Sequence, residues 1–134
     1  MLNRFFIIII ALTSALTFSL TGFAGDVSVS NAYRSGLSGV QLQGAGLVVN
    51  ILSDDTKGSR HQRFILKMPV GLTLLIAHNI DLAPRINNIG LGDTVEFYGQ
   101  YEWNDKGGVV HWTHHDPAGR HIGGWLKHNG RVYE

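Results

Sequence analysis

The sequence has no cysteine, and only three prolines and two methionines among its 134 residues. Without cysteine there is no disulfide scaffold, no thiolate nucleophile and no thiolate zinc site. Charge is scarce as well: Asp, Glu, Lys and Arg make up 16% of the chain, 11 basic against 10 acidic. Such a balance provides no phosphate-neutralising basic face, so nucleic acid is not an expected partner. There is no G-x-S-x-G nucleophile motif, internal repeat, low-complexity tract or linker. Beyond Leu20 no apolar run is long enough to span a bilayer as a helix. What the chain does carry is glycine, 17 residues, and histidine, seven.

The first residues have the layout of an export signal. Arg4 is the only charge before a largely apolar stretch from Phe5 to Leu20, and Gly22-Phe23-Ala24 is a small-x-small triplet suited to signal peptidase. The stretch contains Thr13, Ser14, Thr17 and Ser19 and falls short of the roughly 20 apolar residues a stable span needs. Residues 1–24 are therefore expected to be a cleaved secretory signal rather than an anchor, with the mature protein in the periplasm. No cysteine follows to carry a lipid. The remaining 110 residues suffice for one domain and are neutral overall. Residues 25–39, with Tyr33 and Leu37 four apart, suit an arm or short helix, and residues 40–134 form the domain proper.

From Val40 onward the apolar period is two. Val40 and Leu42 alternate with glutamines, Gly44-Ala45-Gly46 intervenes, and Leu47, Val49 and Ile51 continue on the opposite parity. That phase change predicts a bulge or coil inside one long strand. A second strand places Phe64, Leu66 and Met68 inward, and a third runs from Leu72 to His78. Ile80–Leu91 breaks the alternation, with Asp81 and Pro84 suited to the start of a short helical or irregular connector. A fourth strand holds Val95, Phe97, Gly99, Tyr101 and Trp103 on one face, and a fifth runs from Val109 to about His114. Asp116-Pro117-Ala118-Gly119 fits a type I turn, and Asn129-Gly130 closes a small C-terminal hairpin. The expected fold is all-β: a small closed or partly open OB-fold-like barrel of five main strands, with a connector after the third. A β-sandwich is the alternative.

Three motifs, His61-Gln62-Arg63-Phe64-Ile65, His78-Asn79-Ile80-Asp81-Leu82-Ala83-Pro84-Arg85 and His111-Trp112-Thr113-His114-His115-Asp116-Pro117, give the chain a resemblance to an uncharacterised family of small exported bacterial proteins, a domain of unknown function. The resemblance covers most of the mature chain and implies no activity. More distantly, the strand order is similar to that of periplasmic OB-fold proteins.

Four of the seven histidines fall between His111 and His121. Histidine is the usual nitrogen ligand of zinc, copper and nickel and the usual acid–base group near neutral pH. If the Pro117 turn folds the chain back, His114 faces His121, and Asp116 is available as a carboxylate ligand or as the turn's own cap. His114, His121 and Asp116 are therefore the candidate metal ligands, with zinc the first choice of cofactor. A second constellation, His78, Asn79, Asp81 and Arg85, follows a strand end, where Asp81 can orient His78 as a base, pair with Arg85 or cap the connector. Tyr98, on the polar face of its strand, is a candidate stacking surface, whereas Tyr101, Trp103 and Trp112 have core parity. His61 and Arg63 share a face without an evident partner, and His128 reads as a turn residue.

These features support an exported binding module whose histidine-rich rim takes a transition metal, a small polar ligand or an envelope protein. The alternatives are a metal-dependent hydrolase of phosphodiesters and a structural envelope protein with no ligand. In the hydrolase, Asp116 is a metal ligand, Arg120 a phosphate clamp and His121, with His114, the base; His78 and Asp81 are the other catalytic candidates.

Overall fold

The computed structural model describes residues 21–134, with side chains from Ser28 onward. The predicted export segment lies outside the described residues except for its last four, which begin the helix α1 (Thr21–Arg34). Seven strands follow: β1 (Val40–Ile51), β2 (His61–Lys67), β3 (Thr73–Asn79), β4 (Thr94–Glu102), β5 (Val109–His111), β6 (Trp125–His128) and β7 (Arg131–Tyr133).

Hydrogen bonding runs in the order β1-β2-β3-β5-β4, and β4 pairs again with β1, closing a five-stranded barrel. β1 achieves this by serving two partners in succession. Val40–Leu47 pairs with β4 and Leu47–Ile51 with β2. β3 and β5 are parallel, with Leu75 opposite Val109, and all other pairs are antiparallel. This ring, with its single parallel contact, is the OB layout expected from the strand order. β6 and β7 extend the sheet beyond β4 as the expected C-terminal hairpin.

The interior is filled from alternate positions of every strand. Phe64, Leu66, Leu74, Ile76, Phe97 and Tyr101 are all fully buried. α1 lays Val29 and Ala32 against the barrel. It stops in a Schellman turn: Leu37 N–H donates to Ala32 O and Gly36 N–H to Tyr33 O, with Gly36 at φ 62°. The connector after β3, expected as a short helix or an irregular stretch, takes the irregular form, a series of turns. It is pinned from within by Gln62, whose amide both donates to Ile86 O and accepts from Ile86 N–H, at 2.8 and 2.9 Å. Ile86 thereby plugs the barrel at full burial.

Four expectations need correction. First, β1 does not change phase at its glycines. Leu42, Gly44, Gly46 and Val48 keep one parity facing in, while Leu47, Val49 and Ile51 are 49, 45 and 41% exposed. The glycines are small because neighbours press on them: a Cβ on Gly44 would lie 2.8 Å from the Phe97 ring, and one on Gly46 would lie 2.9 Å from Lys67 O. The actual register shift comes later, between Val48 and Asn50. Second, Trp103 is exposed rather than core, stacked on Tyr33 with its Nε1–H donating to Tyr33 O. Third, β5 ends at His111 instead of His114, and Trp112 leaves the strand at φ 53°. Fourth, His128 is no turn residue: it is buried, with Nε2 2.8 Å from Asp93 Oδ2.

Candidate functional site

Outward-facing residues of neighbouring strands meet across the barrel wall. Register places Arg63 opposite Ala77 and His61 opposite Asn79. On the other side of β3, the parallel step brings β5 alongside, and β5 sets His111 opposite Gln100 and Val109 opposite Glu102. Because Ala77 has only a methyl group at the centre of this wall, the longer side chains around it enclose a cavity of about 310 Å³. Asp55, His61, Arg63, Glu102, Val109 and His111 surround that floor. A second cavity of about 200 Å³ shares His61 and His111 and adds Asn79, Leu82, Trp112 and His114. The two form one groove over β2, β3 and β5.

Hydrogen bonds orient the ionisable groups of this groove. His61 Nδ1 donates to Ser59 O at 2.9 Å and His114 Nδ1 to His115 O at 2.6 Å. Backbone carbonyls thus set both tautomers and leave Nε2 as the nitrogen open to a ligand. His111 Nε2 is 3.2 Å from Glu102 Oε1, which also accepts from Gln100 Nε2 at 2.6 Å. Those two donors, the Gln100 amide foremost, hold the Glu102 carboxyl below its ordinary pKa. Arg63 spends Nε and Nη2 on Ser53 O, which fixes its guanidinium on the wall.

The turn that was expected to make a metal centre folds as predicted, with Gly119 N–H donating to Asp116 O at 3.0 Å. Its arms meet differently, however: Gly124 N–H, not His121, lies opposite His114 O. Asp116 acts as the cap, accepting from the backbone N–H groups of Ala118, Arg120 and His121. These bonds, Arg120's first, keep its carboxyl below the usual pKa. His121 has Nδ1 2.8 Å from Ile122 O and Nε2 2.5 Å from Gln100 Oε1. Both nitrogens face acceptors, so a metal would have to displace one of these bonds. Trp112 stacks on His121 at 3.9 Å between centroids and touches His114 at 5.2 Å. The two imidazoles therefore share an indole neighbour. Among the described residues no three histidine or carboxylate side chains converge on a metal-sized site. Arg120 makes no ion pair among the described residues.

The second predicted constellation is dispersed. His78 is fully buried; Nδ1 is 2.7 Å from Thr113 Oγ1 and Nε2 donates to Pro84 O at 3.0 Å. Burial, more than any neighbour, lowers its pKa to about 4, so it is a neutral structural ring and no rim base. Asp81 binds Arg60 through the backbone N–H at 2.9 Å and Nε at 2.8 Å rather than orienting His78 or meeting Arg85. These bonds, the backbone one leading, lower its pKa. Arg85 turns instead to Asp54, at 2.5 Å. Asn79 stays at the groove, although its Oδ1 accepts from Asp81 N–H. Tyr98 lies beside Trp125, 6.1 Å between centroids and tilted by 37°, away from the groove residues.

Sequence reasoning thus missed the groove while naming parts of it. The alternation put His61 and Arg63 on one outward face, but which strand lay beside β3 decided their company. The signal available was Ala77, a small outward residue centred among long ones.

A five-stranded barrel of OB layout with a polar groove on its β2–β3–β5 wall defines the class. Within it, the chain belongs to the family described as "Protein of unknown function (DUF3465)", whose model matches residues 9–134. No curated protein matches the chain.

Proposed function

We propose that this protein is an exported binding module that holds a small polar ligand in the groove over β2, β3 and β5. The observation that carries this reading is the pair of adjoining cavities, about 310 and 200 Å³, that share His61 and His111 on the outer wall. Loops and faces of a rigid barrel are where such folds present binding groups. The groove offers acceptors at Asp55, Glu102 and the two free imidazole nitrogens, a cation at Arg63, and an apolar floor at Ala77 and Val109. Two carboxylates against one guanidinium leave the groove one charge negative, so the ligand that fits is neutral or zwitterionic, with a cationic or hydrogen-bond-donating group toward Asp55 and Glu102 around an apolar body. The strained Trp112 backbone belongs to the same site: a bulky residue at φ 53° costs about 1–2 kcal/mol. It aims the indole between His114 and His121.

Metal binding and metal-dependent hydrolysis have less support, because Asp116 is occupied by the backbone of its own turn and His121 by Ile122 O and the Gln100 amide of β4. Export and a periplasmic location rest on the Arg4, Phe5–Leu20 and Gly22-Phe23-Ala24 pattern. Cleavage after Ala24 would retain Val29 and Ala32, the α1 residues that cover the barrel.

The test is an amide NMR titration of the purified protein with neutral dipeptides, zwitterionic amino acids, disaccharides and zinc chloride. Saturable shifts from an organic probe, clustered at residues 61–63, 77–79 and 109–114, are expected. Saturation by zinc alone, centred on His114 and His121, would instead restore the metal reading.

A further inference from the structure

A separate cavity of about 500 Å³ lies between the connector and the β6–β7 hairpin. Arg85, Asn87 and Asn88 line it from the connector, and His128, Asn129 and Arg131 from the hairpin. Two guanidiniums and three amides face this space, and no carboxylate lines it. The hairpin wall is well defined. Asn129 and Gly130 adopt φ 50° and 77°, the paired left-handed geometry of a type I′ turn, which sets His128 opposite Arg131.

The charges here are unequally compensated. Arg85 gives Nη1 to both oxygens of Asp54, and His128 gives Nε2 to Asp93. Arg131 makes no ion pair among the described residues; its guanidinium lies 4.9 Å from the Tyr133 ring centroid. Stacking on an aromatic face holds a guanidinium flat while leaving its edge N–H donors available. His128 also keeps Nδ1 buried without a partner, a polar atom of a fully buried side chain on the cavity wall. One uncompensated cation with a planar fork of donors matches one planar, singly charged acceptor. The amides of Asn87, Asn88 and Asn129 match hydroxyl or amide groups on the rest of such a molecule.

We propose that this cavity binds a small organic carboxylate bearing hydroxyl or amide groups, with Arg131 as its charge-pairing residue. The site is independent of the groove and of the reading given to it. The test follows the side-chain amide signals of Asn87, Asn88 and Asn129 by NMR while lactate, N-acetylglycine or inorganic phosphate is added at matched ionic strength. Saturable shifts with lactate or N-acetylglycine are expected. Arg131→Gln should weaken binding about tenfold or more, and Arg131→Lys should recover part of it, at unchanged melting temperature. Shifts that rise linearly without saturating, saturation by phosphate alone, or equal affinity in Arg131→Gln would overturn the proposal. Because residues 61–63 and 109–114 report on the groove in the same spectra, the two sites succeed or fail separately.

Discussion

His78 takes its donor and acceptor from Thr113 and Pro84 inside the barrel wall, and burial holds its pKa at about 4. A histidine in the unfolded chain titrates near 6.5, so between pH 6.5 and 4 the unfolded chain binds the extra proton and the folded chain does not. Stability from this residue is therefore present above pH 6.5 and is lost as pH falls to about 4, in total about 3 kcal/mol. His78→Gln keeps a donor and an acceptor but does not titrate. Denaturant melts at pH 7, 5.5 and 4 should show wild type losing stability faster than the variant across that window. Parallel losses would contradict neutral burial. Asp81 and Asp116, whose pKa values are lowered by backbone N–H groups, contribute below this range: acid protonates their carboxylates and weakens the bonds that they accept from Arg60 and from the Pro117 turn. Residue identity was legible here and residue role was not. The sequence shows His78 beside Asp81, and only the barrel shows that one side chain points in while the other reaches Arg60.

At the level of elements, β1 is the most informative strand. Its length was readable from the run of apolar residues at period two, and so were the inward faces of β2, β3 and most of β4. Its facing beyond Gly46 was not, because glycines at inward positions leave no apolar mark and the eye follows Leu47, Val49 and Ile51 instead. Trp103 misled for a related reason: it continues the parity of Tyr101 past the end of β4, where α1 rather than the core receives it. Substitutions distinguish the two readings of β1. Gly46→Ala must push against Lys67 O and Leu66, and it should cost roughly 1–3 kcal/mol in chemical denaturation. Val49→Thr, on the exposed face, should change stability by no more than about 0.5 kcal/mol. The opposite ranking would return Val49 to the core.

For the molecule as a whole, neutrality, small size and an OB layout narrow the function without naming a ligand. The candidate site was the least legible feature, since it depends on β3 and β5 becoming neighbours across 33 intervening residues of sequence between Ile76 and Val110. Histidine density points to the Pro117 turn, yet Asp116 is spent on the turn's own backbone and His121 on Ile122 O and Gln100, and the groove histidines with Nε2 open, His61 and His114, come from different segments. If the protein is exported, intact-mass analysis of material recovered from the periplasm should give a chain beginning at Gly25; retention of residues 1–24 would make the leader an anchor. The most direct measurement concerns the groove floor. Ala77→Phe fills the space over β3 without touching the buried face of the strand. Whichever organic probe shifts residues 61–63 and 109–114 in the wild type should lose binding to this variant by about tenfold or more while the fold is kept. Undiminished affinity in Ala77→Phe would contradict a ligand seated on the β2–β3–β5 wall.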